Sequence, residues 1–277
     1  MIKKAKLKVV FMLAIMVLAF TMQGAADGHI LVFHRFGDDR YPSTNISEDK
    51  LIEIFDYLEE NDYQVISLDK MVKKIKNNKP IADKTIALTI DDGYQSFYNN
   101  GLKIFRDYNY PFTVFINTKP INQGYGDFLT WEQVKEISQY GTIASHGYNH
   151  PHLTTLSDTE IKSDINQSIA DIKNNLDQNP AFFSYPYGEY NQQTRKTIKS
   201  LGFEAVFNQN LGAVAKNSDI YNINRIAISD LDGLKGKLIY DYLPAQWAKS
   251  EEMISNGRLI KAKVQVAEEI EEAQLYV

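Results

Sequence analysis

Thr85-Ile86-Ala87-Leu88-Thr89-Ile90-Asp91-Asp92-Gly93 is the stretch on which the fold turns. Its first six residues carry no charge, which suits a strand buried within a sheet. The run then stops on two carboxylates and a glycine. Carboxylates closing an apolar strand are costly to bury without a partner. On residues alone the pair reads equally well in two ways. It can be a helix cap with a second acid complementing the helix dipole, or one metal ligand beside one base.

Outward from this strand, apolar and amphipathic runs alternate. Residues 29–34, 63–68, 111–116, 142–145, 181–185 and 204–207 read as short strands, and 220–228 as a last one. Helices are expected from Ser47 to about Glu60 and over 69–77, 95–108 and 191–200. Two more begin at capping signals, Thr130 with Gln133 and Ser157 with Glu160, the second running to about Leu176. Strands separated by helices pair in parallel through right-handed crossovers. Seven or eight such units predict an α/β fold, a distorted (β/α)7–8 barrel in a single domain. Functional groups then belong at the C-terminal ends of strands.

Composition narrows the chemistry. The 277 residues carry a net charge of −5 with 44% hydrophobic residues, so the chain should fold and offers no basic footprint for nucleic acid. It has no cysteine, which excludes disulfides, thiolate zinc sites and a thiol nucleophile. Any metal site must use histidine and carboxylate, and the five histidines are His29, His34, His146, His150 and His152.

Residues 2–8 hold four lysines, 9–22 form an uncharged apolar run, and Gly24-Ala25-Ala26 suits cleavage. That layout predicts a signal peptide over 1–26. The apolar run is short for a span, and an uncleaved anchor is the alternative. Either places the folded part outside the cytoplasm: periplasmic, cell-surface or secreted, and compatible with peripheral envelope association. The folded domain is expected over 27–248. Residues 249–277, with Glu268, Glu269, Glu271 and Glu272 close together, read as a charged tail or a solvated helix.

Polar residues follow four of the expected strands: His34-Arg35, Asp91-Asp92-Gly93-Tyr94, His146 to His150, and Pro186-Tyr187-Gly188. His146 and His150 are four apart. In a helical turn they would share one face and could share a cation; otherwise they are two turn histidines beside Pro151. Two imidazoles with one carboxylate leave coordination positions open, as catalytic sites do. Trp131 and Tyr148 could stack on sugar rings or pack in the core. Arg35, with Asp38, Asp39 and Arg40, could line a groove or form a solvated loop. His152 is expected to hold the loop structurally, and His29 to be exposed.

Together these motifs resemble the polysaccharide deacetylases, carbohydrate esterase family 4. Thr89-Ile90-Asp91-Asp92-Gly93 is similar to that family's Thr-Phe-Asp-Asp-Gly motif. Ser145-His146 with His150 is similar to its Ser/Thr-His-x-x-x-His motif, and Tyr185-Pro186-Tyr187-Gly188 to its third motif. The resemblance spans about residues 29–230. It implies that Asp92, His146 and His150 hold a divalent metal, zinc first among them. It also implies that Asp91 is the base and that the Tyr187 backbone N–H stabilises an oxyanion.

Two departures bear on the branch. The third motif lacks its usual arginine, since Phe183, Ser184 and Tyr185 occupy that stretch, and no histidine follows His152. The poly-β-1,6-N-acetylglucosamine deacetylases take the acid histidine from an early strand. Residues 31–36, around His34-Arg35, resemble that segment, so the resemblance implies His34 as general acid. The expected substrate is therefore an N-acetylglucosamine polysaccharide, with peptidoglycan or chitooligosaccharide as the alternative. A non-catalytic carbohydrate-binding module is the reading from another class.

Overall fold

A computed structural model describes residues 27–239 and four further short strands between 245 and 266. In chain order the first elements are β1 (Gly28–Phe33), β2 (Arg35–Phe36), β3 (Asn45–Ile46), α1 (Glu48–Glu60), β4 (Gln64–Val65), α2 (Leu68–Lys76) and β5 (Thr85–Ile90). A π-helical turn, Phe97–Gly101, leads into α3 (Leu102–Asp107), followed by β6 (Phe112–Ile116), α4 (Thr118–Asn122), α5 (Trp131–Ile137) and β7 (Thr142–Ser145). Then come α6 (Asp158–Leu176), β8 (Phe182–Ser184), α7 (Gln192–Lys199), β9 (Ala205–Phe207), β10 (Ile226–Ala227) and α8 (Leu231–Lys237).

The main sheet runs β10-β1-β5-β6-β7-β8-β9, all parallel. β4 pairs with the first two residues of β5, below the point where β6 begins. Helices lie between the strands, so the sheet is the curled β/α barrel that the alternation predicts. The stretch 220–228, expected as one strand, divides its pairing. Val206 N–H donates to the Ile220 carbonyl and Ile223 N–H to the Val206 carbonyl, while Ile226 and Ala227 pair with Leu31 and Val32 of β1. This segment thus spans the seam between the first and last major strands.

Period-two alternation sorts the strand residues onto two faces. Leu31, Leu88, Val114 and Ile143 pack with Leu51, Ile54 and Phe55 of α1 and Phe105 of α3. The alternate positions Ile30, Ala87, Phe115, Ala144, Phe182 and Phe207 pack with Leu68, Met71, Val72 and Ile75 of α2. All of these side chains are buried, each aliphatic or aromatic one contributing roughly 1.5–3 kcal/mol of burial. Further along the same alternation, just past the strand ends, stand His34 and Asp91, four residues on from Ile30 and Ala87, and His146, two on from Ala144. The helix starts agree with the sequence signals: Thr130 with Gln133 and Ser157 with Glu160 each form a complete capping box.

Several expectations need correction. His29 is buried, not exposed, because it lies inside β1 opposite Ile86 of β5. The strand expected over 63–68 is paired only at Gln64 and Val65. α4 was unforeseen: Pro120 stands at its third position, in the first turn, where a missing N–H costs nothing. Residues 249–277, expected as a charged tail or a helix, form short strands where they are described. Met253–Ser255 pairs antiparallel with Arg258–Lys261, and Val264–Val266 with Ala245–Trp247. The signal peptide expected over 1–26 lies outside the described residues. Among the described residues no helix is long and apolar enough to cross a membrane.

Candidate active site

The strand ends converge on a cavity of about 590 Å³, lined on one side by His34, Asp92, His146, His150 and Tyr187, and on another by Ala227, Ile228, Ser229 and Lys237. Parallel register brings the first of these together. Asp91 directly follows β5, His146 follows β7, and His34 follows β1.

Asp92 departs from strand geometry. Its φ is +73° and that of Gly93 is +75°. The left-handed turn at Asp92 breaks the alternation that would send neighbouring side chains to opposite faces, so both carboxylates reach His146. Asp92 Oδ1 lies 3.4 Å from His146 Nε2, and Asp91 Oδ2 lies 3.9 Å from it. Gly93 is required on two grounds. Its φ is left-handed, and a Cβ there would stand 3.1 Å from Ile116 Cγ2.

His146 and His150 meet without a helix. Residues 146–150 form a loop, and His150 turns back at φ +52° to bring its Nε2 within 3.2 Å of His146 Nε2. The Asp164 carboxylate, from α6, accepts the Tyr148 and Asn149 backbone N–H groups, both at 2.9 Å, and so shapes this loop. His146 Nδ1–H donates to the Ser184 carbonyl at 2.9 Å, which leaves Nε2 as the free ligand atom. One donor atom each from Asp92, His146 and His150 lies within 4.8 Å of the other two. Two convergent imidazole nitrogens and a carboxylate oxygen, with open space beside them, fit a divalent cation of the zinc type.

Asp91 is fully buried against Arg225, itself fully buried. The guanidinium donates to both carboxylate oxygens, at 2.7 and 2.6 Å, and its Nε donates to the Asn208 carbonyl at 3.0 Å. Burial pushes the Asp91 carboxyl up, but Arg225 and His146 outweigh it and hold the acid below the usual carboxylate range. Burial also opposes ionisation of Asp92, and His146 reverses that, leaving it strongly lowered. His150 is pushed down to about 4, first by burial and then by the neighbouring His146. Both carboxylates are therefore ionised and His150 is neutral at pH 7, while His146, whose burial opposes its charge, is pushed up by Asp91 and Asp92, the negative charge that a cation would meet here.

Tyr187 follows Pro186 in a single 3-10 turn, with φ +60°, and is half exposed. As a first-turn residue its N–H has no intrahelical acceptor. The other expected residues fall elsewhere. Arg35 is buried, paired with Asp38 at 3.0 Å and sandwiched between the Tyr41 and Tyr94 rings at 3.7 and 3.4 Å. It braces the loop whose Ser43 and Thr44 line the cavity and is neither groove wall nor solvated. Trp131 donates its indole N–H to Asn122 at 2.8 Å and packs against the core, and Tyr148 is half-buried; neither lines the cavity.

Sequence reasoning missed Arg225 and Asp164. The first had a signal, an arginine inside the apolar run 223–228. The second, an acid on a long amphipathic helix, had none.

A curled β/α barrel with an Asp-His-His cluster that could hold a cation, and an arginine-held carboxylate beside it, has the parts of a hydrolytic site. Residues 78–206 match the family model for polysaccharide deacetylases. The Bacillus subtilis protein YxkH is 26% identical over 77% of this chain and 75% of its own length. Escherichia coli poly-β-1,6-N-acetyl-D-glucosamine N-deacetylase is 28% identical over 72% of this chain, but only 35% of that enzyme's length is covered. The Streptococcus pyogenes deacetylase PplD shares the fold, with a TM-score of 0.71 and 23% identity over 78% of this chain and 99% of that one.

Proposed function

We propose that this protein is an exported, metal-dependent N-deacetylase of N-acetylglucosamine residues in an extracellular or envelope polysaccharide, poly-β-1,6-N-acetylglucosamine foremost. The observation that carries this reading is the convergence of His34 and the Asp92-His146-His150 triad on one cavity, with Asp91 buried behind it 3.9 Å from His146. The early position of His34 and the similarity to the Escherichia coli enzyme support the choice of polymer.

Asp92, His146 and His150 would hold the cation, zinc by donor chemistry. When bound it makes water acidic and polarises the acetamide carbonyl. Asp91, ionised and oriented by Arg225, takes the proton of the attacking water. The Tyr187 backbone N–H meets the charge developing on the acetamide oxygen. His34 protonates the departing sugar nitrogen. The C–N bond breaks, acetate leaves, and a glucosamine amine remains on the polymer.

Acetate release tests this directly, from β-1,6-linked N-acetylglucosamine oligomers, chitin oligomers and peptidoglycan fragments, each with and without chelator. Chelator-sensitive release from the β-1,6 oligomer is expected. Release only from another glycan would move the substrate, and binding without release from any would make the protein a carbohydrate-binding module.

A further inference from the structure

The rim of the cavity carries a contact set that the chemistry above does not use. The His152 ring stacks on the Tyr187 ring, centroids 4.1 Å apart and planes within 11°. His152 Nδ1–H donates to Glu189 Oε2 at 2.9 Å. Tyr187 presents its other contact to the ligand His150, ring centroids 4.4 Å apart in an edge arrangement. His152 and Glu189 side chains are 56% and 43% exposed. An ion pair this open adds little to folding, so its geometry calls for another reason. Tyr187 supplies one: it holds φ +60°, a conformation that a bulky L-residue adopts only when its surroundings enforce it.

We infer that His152 and Glu189 are positioning residues that clamp Tyr187 in its left-handed turn, so that its backbone N–H stays aimed into the cavity. Glu189 fixes the imidazole plane through one hydrogen bond, and the imidazole face fixes the phenol ring. The ring and its backbone can then rotate only by breaking the stack. The Tyr187 hydroxyl has no part in this; the ring is a handle by which the loop is held. The clamp acts on the transition state, where charge develops on the substrate oxygen, and not on cation binding or on substrate capture.

The inference rests on the deacetylase reading, and wild-type acetate release is the control that separates the two. No release by the wild type from any glycan would defeat that reading. The clamp is tested by variants of an active enzyme loaded with zinc, measuring kcat, KM, bound zinc and melting temperature. His152→Ala should lower kcat about tenfold, with KM and zinc content within twofold of wild type. His152→Phe keeps a flat ring on Tyr187 without the Glu189 bond and should recover most of kcat; Glu189→Gln should fall between. Three results would overturn the clamp: an unchanged kcat in His152→Ala, no recovery in His152→Phe, or zinc lost in step with kcat, which would mean that His152 acts through His150. Should His152→Ala fail to fold, the ordering of wild type, His152→Phe and Glu189→Gln decides by itself.

Discussion

Beneath the cavity, whose floor His146 forms, Asp91 and Arg225 are closed off from water and joined by a two-pronged charge pair. At its rim Tyr187, His152 and Glu189 stand about half in solvent, set by one turn and a stacked pair of rings. The floor uses low dielectric, where an unpaired charge is expensive and a paired one is rigid. The rim has no such leverage and uses shape. A charge pair of similar length should therefore matter greatly to stability in one place and hardly at all in the other.

The comparison can be broken at its strongest point first. His146→Ala removes the best-buried ligand and should abolish both bound metal, read by elemental analysis, and acetate release. Asp91→Asn should keep the metal yet lower turnover by about 10²–10⁴-fold, the usual worth of a proton-transfer group. His34→Ala should do the same with metal unaffected, and unchanged activity would send the acid role elsewhere.

Stability sharpens the contrast further. Arg225→Met strands Asp91 in the interior and should cost about 3–5 kcal/mol in chemical denaturation. Glu189→Gln at the rim should cost no more than about 1 kcal/mol. The two should also differ with pH. The Asp91 acid is lowered in the folded state, so its pairing contributes stability that is complete above the unfolded carboxyl value of about 4 and is lost as pH falls through the folded value. The gap between wild type and Arg225→Met should be level from pH 7 to about 5 and close in more acid solution. Between Arg225→Met and Glu189→Gln in size, Arg35→Ala removes two ring contacts worth about 1–2 kcal/mol. It should loosen the Ser43-Thr44 wall, raising KM with little change in kcat.

Which parts were legible in the sequence follows the same divide. Strand ends are local: apolar alternation through 85–90 places Asp91 without knowledge of anything distant. The His146 and His150 pair was legible as a pair, though the loop that joins them relies on Asp164 from another helix. Arg225 was not legible from the Pro-Tyr segment, because it reaches Asp91 from just before β10, 134 residues along the chain. Arg35 was misjudged since burial between two tyrosines depends on where a loop folds, not on charge spacing. The hairpin pairs near the C-terminus were obscured by their acidic surroundings, which favoured a helix.

The seam segment 220–228 has a consequence in time. Asp91 and Arg225 stand 134 residues apart, so a growing chain acquires Asp92, His146, His150 and the Asp91 carboxylate long before the guanidinium that steadies it. Until residue 225 arrives, the strand end at Asp91 is a carboxylate that cannot be closed away from water. The last third of the chain to be synthesised thus decides when the first part can become dry, and a chain cut short of the seam holds the ligands of a catalyst without its balanced interior.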